Sequence, residues 1–153
     1  PDIVRAGKSP RILTPHAREF ARMAGGKSLA EFSAEAGPKT VTVLKGPATR
    51  TSDGRGVYHS FFGGPVLARG GSGDLLAGMI GALLAGNPHE PLTAACRGVV
   101  WHGLAADALA RARGQVAVRT TELLEFLPEA LREGGGQFEL SAAYRARISA
   151  RTC

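Results

Sequence analysis

A glycine-rich turn leads directly into a long apolar segment in the middle of this 153-residue chain. Residues 70–74 read Gly-Gly-Ser-Gly-Asp, and residues 75–85 contain only Leu, Ala, Gly, Met and Ile. Glycine allows the backbone to adopt a positive φ and to approach a neighbouring group closely. A helix that is apolar nearly all round is typical of a buried helix. We therefore expect residues 74–85 to form a helix inside a core, with a tight turn before it.

Short β-branched segments and helical segments share the rest of the chain. Strands are predicted for residues 12–14, 40–44, 48–51 and 57–61, the last two as a hairpin. Helices are predicted from Pro15 with Thr14 as N-cap, from the Ser28 cap to residue 36, and over residues 91–113 and 121–132. Strands followed by helices indicate the α/β class. The strands are few for so many buried helices, which predicts that part of the sheet is missing.

The composition is that of a globular chain, with 44% hydrophobic and 21% charged residues. Its 19 Lys and Arg against 13 Asp and Glu are scattered, and the 6% of aromatic residues offer no stacking surface, so nucleic-acid binding is not expected. No apolar run approaches the roughly 18 residues of a membrane span, so no membrane association is expected. No signal peptide, disulfide framework or metal-ligating spacing is visible, which favours a cytoplasmic protein that holds no metal ion itself.

The turn at residues 70–74 carries the chemistry. Backbone amides at the start of a helix favour a bound anion, so Gly70, Gly71, Ser72 and Gly73 are candidates for an anion hole. Asp74 lies in the first helical turn, where the helix dipole stabilises a carboxylate that can accept a proton from a hydroxyl. An anion hole beside a base suits phosphoryl transfer to a hydroxyl. A helix-capping aspartate after a flexible turn is the alternative that the local sequence leaves open.

Other nucleotide-binding and nucleophile motifs are incomplete in this chain. Residues 25–28 resemble the end of a P-loop, but Ala21 stands where the first glycine is required. The dinucleotide-binding fingerprint fails at Leu76, and a nucleophile elbow around Ser72 fails because Asp74 replaces its second glycine. A bound nucleotide would have to be held in another way.

Five motifs occur in an order that resembles one family. They are Thr-Pro-His-Ala-Arg-Glu-Phe at 14–20, Val-Leu-Lys-Gly at 43–46, Gly-Gly-Ser-Gly-Asp-Leu-Leu-Ala-Gly at 70–78, His-Gly-Leu-Ala-Ala-Asp at 102–107 and Glu-Leu-Leu-Glu-Phe-Leu-Pro at 122–128. Together they resemble the ribokinase-like domain of ADP- or ATP-dependent NAD(P)H-hydrate dehydratases. The resemblance spans residues 12–131 but only the second half of that domain.

The resemblance implies a fold and a division of the chain. The fold would be a three-layer αβα arrangement with a mainly parallel sheet, truncated at its N-terminal side because the family's earlier strands would precede Pro1. Residues 1–133 would form the C-terminal half of the nucleotide-binding domain. Residues 134–153 would be a glycine hinge and a peripheral basic tail. Family relatives also commonly assemble into homo-oligomers, usually tetramers.

The resemblance also implies a reaction. The substrates are NADHX and NADPHX, the hydrated forms of NADH and NADPH, whose nicotinamide ring carries a hydroxyl. The family removes this hydroxyl as water, with ATP or ADP and Mg²⁺ as cofactors. The implied route is phosphorylation of the hydroxyl followed by loss of phosphate.

The family's site residues carry over onto matching positions of this chain. Asp74 would be the base that contacts the hydrated ring, beside the anion hole of residues 70–73, with Gly73 also near the nucleotide. His16 would contact the substrate. The residues lining the nucleotide phosphates would be Lys45, Gly46, Pro47, Ala48 and Thr49.

Each of these assignments has a simpler alternative. His16 could be only a residue at the start of a helix, and Lys45 a solvated lysine, while structural roles are favoured for His102 and Asp107. Arg69 stands where the family has a small or hydroxyl residue, and it could contact phosphate or point outward.

Three other functions stay open from the sequence. A ribokinase-like small-molecule kinase would use the same base and anion hole on a different hydroxyl. An inactive half-domain could pair with another subunit through an exposed sheet edge. A basic nucleic-acid-binding module is the weakest alternative.

Overall fold

The computed structural model describes residues 9–134 of the chain. Its strands are β1 (Arg11–Leu13), β2 (Thr40–Leu44), β3 (Thr49–Ser52) and β4 (Val57–Ser60). Its α-helices are α1 (Ala17–Ala24), α2 (Leu29–Glu35), α3 (Ser72–Gly86), α4 (Pro91–Arg113) and α5 (Leu123–Gly134). Short 3₁₀ turns at Gly64–Leu67 and Thr120–Glu122 precede α3 and α5. The basic tail expected at 134–153 lies outside the described residues, apart from its first residue.

The four strands form one sheet in the order β1-β2-β3-β4. β1 and β2 are parallel, whereas β2–β3 and β3–β4 are antiparallel. The α/β class and the hairpin are confirmed, but the described sheet is mixed where a mainly parallel one was expected. Gly54, with φ +89° in the hairpin turn, reverses the chain between β3 and β4 and so makes that pair antiparallel.

Helices cover both faces of β2, which is buried along its whole length. Side chains alternate along a strand, so Val41 and Val43 point to one face, where they pack with Leu76 of α3 and Val99 of α4. On the other face, the Thr40 hydroxyl donates a hydrogen bond to the Ala36 carbonyl just after α2, at 3.0 Å. The described residues thus contain the layers of an αβα arrangement.

Helix α3 is buried on one side only, which corrects the expectation of a fully buried helix. Leu76, Met79 and Ile80 face the core, while the exposed positions include Ala77, Gly78, Gly81, Ala82 and Ala85. These exposed residues are small and leave little apolar surface in water. A hydropathy pattern rates such residues as apolar, and therefore cannot distinguish this helix from a wholly buried one.

A second cluster of apolar residues joins α4 to α5. Leu109 and Leu123 are fully buried in it, together with Val118 from the connecting segment. The Trp101 indole Nε1–H donates a hydrogen bond to the Leu127 carbonyl at 2.9 Å, which ties α5 to the middle of α4. None of the described helices is long and apolar enough to cross a membrane.

Candidate functional site

His16 and Lys45 meet where the two parallel strands end. His16 follows β1 and Lys45 follows β2, and the two residues form a parallel bridge beyond the named strands. The Lys45 amide donates a hydrogen bond to the Pro15 carbonyl at 2.9 Å. The carboxyl ends of parallel strands share one edge of a sheet, and α/β proteins commonly bind their ligands outside this edge.

The Lys45 side chain reaches the start of α3. A Cβ atom at Gly73 would lie only 2.9 Å from Lys45 Nζ, so the ammonium group occupies the space that the missing side chain leaves. The N-terminus of a helix already carries a partial positive charge. A lysine ammonium placed there concentrates positive charge at one point, and this arrangement favours a bound anion.

Three glycine amides at this turn are available to such an anion. Gly71 is the N-cap of α3 with φ +85°, a conformation that side-chain-bearing residues rarely adopt. Within residues 9–134, the N–H groups of Gly70, Gly71 and Gly73 donate no hydrogen bond. The amides of Ser72 and Asp74 are already used, since they donate to the carbonyls of Arg69 and Gly71 at 3.3 and 3.1 Å.

Ser72 points into the protein and not toward the anion position. Its side chain is buried, and Ser72 Oγ lies 3.4 Å from Nε2 of the buried His102. Burial lowers the pKa of His102 to about 4, so its imidazole is neutral near pH 7. Both polar groups of Ser72 therefore have partners within the chain, and His102 has the structural position favoured for it.

Asp74 is exposed in the first turn of α3. Its carboxylate has no hydrogen-bond or ion-pair partner in the part of the chain that the structure describes. It follows Gly73, the residue whose missing side chain leaves the space that the Lys45 ammonium occupies. An uncommitted carboxylate next to an anion position is free to accept a proton from a substrate hydroxyl.

His16 is the N-cap of α1, which corrects the expectation that Thr14 would hold this position. Its Nδ1 accepts the Glu19 N–H at 3.1 Å, while Glu19 Oε2 accepts the His16 N–H at 2.8 Å. The helix starts later than expected because Pro15 and His16 still pair with Lys45, the residue that follows β2. The hydrogen bond from the His16 backbone lowers the pKa of Glu19, with smaller contributions from His16 and Lys45 charge. The ring is oriented by Glu19 at the strand edge and is still half exposed.

The predicted nucleotide-binding segment is the turn between β2 and β3. The Thr49 hydroxyl donates to the Gly46 carbonyl at 3.4 Å across this turn. Gly46 and Pro47 are exposed, and Ala48 and Thr49 are half-buried. The turn begins at Lys45, so it opens from the same edge as the glycine amides.

Arg69 faces away from the anion position. Its Nη2 donates to the Gln115 carbonyl at 3.2 Å and to the Val116 carbonyl. From the same segment, the Thr120 hydroxyl donates to the Gly70 carbonyl at 2.9 Å. No local sequence signal could have found Thr120, since it meets the turn across 50 residues of chain.

Asp107 also has a hydrogen-bond partner within the chain. Its Oδ1 accepts the Gly63 N–H at 3.1 Å and so anchors the loop after β4 to α4. This is the structural role favoured for Asp107 from the sequence.

Comparison with known families places this site in context. The model of the NAD(P)H-hydrate dehydratase family matches residues 2–129. The chain belongs to this family. This chain is 42% identical over 144 residues to the bifunctional NAD(P)H-hydrate repair enzyme Nnr of Thermofilum pendens, and the match covers 86% of this chain and 27% of that protein. It is 40% identical over 140 residues to the Nnr of Moorella thermoacetica, covering 85% of this chain and 26% of that protein.

Solved structures confirm the ribokinase-like fold. The ADP/ATP-dependent NAD(P)H-hydrate dehydratase of Bacillus subtilis, co-crystallised with ATP and Mg²⁺, is 34% identical with a TM-score of 0.69. The match covers 85% of this dehydratase-family chain and 48% of the B. subtilis protein. A ribokinase-like superfamily protein from Enterococcus faecalis matches with 28% identity and a TM-score of 0.67, covering 80% of this chain and 44% of the other. The chain thus spans about a quarter of the Nnr relatives and about half of the B. subtilis enzyme.

Proposed function

We propose that this chain supplies the base and anion hole of a nucleotide-dependent NAD(P)H-hydrate dehydratase. The observation that carries the proposal is the position of Lys45 Nζ against Gly73, 2.9 Å from where a Cβ would lie. It joins two predicted motifs 28 residues apart at one point, directly before Asp74, which has no partner within the described residues. Membership of the dehydratase family supports the choice of reaction over that of other phosphoryl-transfer enzymes.

In the proposed reaction, Asp74 accepts the proton of the hydroxyl on the hydrated nicotinamide ring. The hydroxyl oxygen then attacks the terminal phosphorus of the nucleotide, and the phosphoanhydride bond breaks with its electron pair leaving on the shortened nucleotide. The amides of Gly70, Gly71 and Gly73 and the Lys45 ammonium stabilise the phosphoryl charge. The carbon–oxygen bond of the new phosphate ester then breaks with its electron pair leaving on phosphate, while the neighbouring ring carbon gives up a proton to solvent, and the electron pair of that C–H bond restores the ring double bond. The net change is dehydration of the ring with hydrolysis of one phosphoanhydride bond.

The remaining contacts follow from the geometry of the strand edge. We assign the nucleotide phosphates to the turn of residues 45–49 and the hydrated ring to the side of Asp74 and His16. Ser72 contributes through its burial against His102 and not through a hydroxyl directed at phosphate. A homo-oligomeric, tetrameric assembly remains a prediction from the family resemblance, and a cytoplasmic location remains a prediction from the cysteine usage.

Mg²⁺ fits this site only as a partner of the nucleotide. Residues 9–134 contain no group of three or more His, Cys, Asp or Glu side chains that could hold a metal ion alone. Mg²⁺ commonly keeps several waters and binds one or two carboxylates together with substrate phosphates. The nucleotide phosphates would hold the ion, which would neutralise their charge, and the Asp74 carboxylate stays free to act as the base.

The test is the return of NADPH absorbance when NADPHX is incubated with ATP or ADP and Mg²⁺. We expect Asp74→Asn to lower kcat by about 10²–10⁴-fold, because the amide cannot accept the proton. Asp53→Asn, in the hairpin turn, is the matched control for the same loss of charge. Both variants are measured in this chain and in any longer protein that contains it, with the B. subtilis dehydratase as positive control.

Two results would contradict the proposal. If Asp74→Asn keeps the activity of the Asp53→Asn control, Asp74 is not the base. If the wild-type protein leaves NADPHX unchanged but phosphorylates another alcohol with ATP, the protein is a small-molecule kinase and the dehydratase proposal is wrong.

A further inference from the structure

The glycine turn needs external support to hold its shape. Glycine has the largest conformational freedom of any residue, so a turn with three of them is intrinsically mobile. Gly70 and Gly71 are exposed, and no side chain of theirs can pack. An anion hole stabilises charge only when its donors are already oriented before the reaction. The contacts that order this turn therefore matter for its chemistry.

Two side chains tie the turn to the segment between α4 and α5. Arg69, directly before the turn, donates from Nη2 to the carbonyls of Gln115 and Val116. Thr120, at the other end of this segment, donates from its hydroxyl to the Gly70 carbonyl at 2.9 Å. Its methyl group would lie 3.7 Å from a Cβ placed on Gly71, so it borders the turn closely. The start of the turn is thus held by both ends of the 115–120 segment.

The Arg69 contact extends into the turn itself. The Arg69 carbonyl accepts the Ser72 amide at 3.3 Å, and the Gly71 carbonyl accepts the Asp74 amide at 3.1 Å. Fixing the Arg69 backbone consequently fixes the start of α3. A small or hydroxyl residue, which the family resemblance places at position 69, could not span to residues 115–116. Arg69 thus performs in this chain a tethering role that such a residue cannot.

We propose that Arg69 and Thr120 are positioning residues, which hold the Gly70, Gly71 and Gly73 amides in their anion-binding arrangement from the 115–120 segment. They contact backbone carbonyls and not the reacting groups. The proposal rests on the proposed function for its kinetic consequence, but the ordering of the turn can be measured without it.

The first experiment measures amide hydrogen exchange of Ser72 and Asp74 by NMR in the ligand-free chain. Both amides are protected by hydrogen bonds within the turn. In Thr120→Val and Arg69→Met, we expect them to exchange at least about tenfold faster, while mid-helix amides of Met79 and Ile80 keep their rates. Thr120→Ser keeps the hydroxyl and should restore the wild-type rates. Arg97→Met, an exposed arginine of α4, controls for the loss of charge.

The second experiment measures kcat and KM for the same variants with NADPHX and ATP. We expect a five- to tenfold lower kcat in Thr120→Val and Arg69→Met, with KM for ATP changed less than twofold and kcat rescued in Thr120→Ser. If Arg69→Met does not fold, the Thr120 pair decides the question alone. Unchanged exchange at Ser72 and Asp74 would overturn the proposal. If the wild-type protein has no dehydratase activity but Ser72 and Asp74 still exchange faster in Thr120→Val and Arg69→Met, the tether stands and only the proposed reaction is overturned.

Discussion

At the scale of single residues, the site depends on a glycine that leaves room for an ammonium group. Lys45 Nζ fills the space beside Gly73, and the amides of Gly70, Gly71 and Gly73 lack partners within the described residues. The amino-acid sequence marks Lys45 and Gly73 as separate candidates. Their contact explains why both belong to one anion site.

Gly73→Ala tests this contact. The added methyl group would displace Lys45 Nζ, the end of a flexible side chain, so we expect the free energy of unfolding to change by less than about 1 kcal/mol. Activity should nevertheless fall about tenfold or more, because the lysine charge moves away from the phosphate. Gly78→Ala, on the exposed side of α3 with nothing within 4 Å of its Cβ, is the matched control. Equal activity in the two variants would show that Lys45 does not act at this position.

At the scale of elements, α3 and α4 pack closely because Gly98 has no side chain at their contact. A Cβ on Gly98 of α4 would lie 2.5 Å from Ile80 Cγ1 and 3.4 Å from the Ile80 Cα. This close approach buries Ile80 against β2 and fixes the direction in which α3 presents its N-terminus. The position of the anion site therefore depends on how these two helices pack.

Gly98→Ala should destabilise the protein although alanine favours a helix. Overpacking a core costs about 1–3 kcal/mol, whereas the gain in helix propensity is about 1 kcal/mol. Gly81→Ala, on the exposed side of α3, has the gain without the clash and should be stabilising. Urea denaturation of both variants checks the prediction. If Gly98→Ala has the same free energy of unfolding as Gly81→Ala, the two helices accommodate the added methyl group without a loss of stability.

At the scale of the whole molecule, a neutral histidine lies between the site and the core. His102 of α4 is buried next to Ser72 at the start of α3, and its pKa is lowered to about 4 by burial. The unfolded chain takes up this proton near the ordinary histidine value of about 6.5. Since the unfolded state binds the proton first, stability falls as the pH decreases from about 6.5 toward 4.

The predicted loss is measurable between pH 7 and pH 5. His102 should contribute about 2 kcal/mol of destabilisation over this interval, by the linkage between proton binding and folding. The carboxylates with lowered pKa, such as Glu19 and Glu122, lose their stabilising contribution only below about pH 4.5 and do not interfere. Urea denaturation of wild type and His102→Gln at both pH values gives the difference. The same pH dependence in both proteins would show that His102 is protonated in the folded state.

The sequence alone determined the parts of this protein that depend on neighbouring residues. Strand β2, the Ser28 cap of α2, the hairpin and the glycine turn before α3 are encoded by β-branched runs, capping residues and glycines a few positions apart. The tertiary structure decided how these parts combine: Lys45 over Gly73, Ser72 turned toward His102, Arg69 tied to residues 115–116 and His16 at the start of α1. Except at His16, the groups involved lie about 30 to 50 residues apart, and local patterns carry no information on such contacts. At His16, continued strand pairing delayed the helix, which again is a contact with a distant segment.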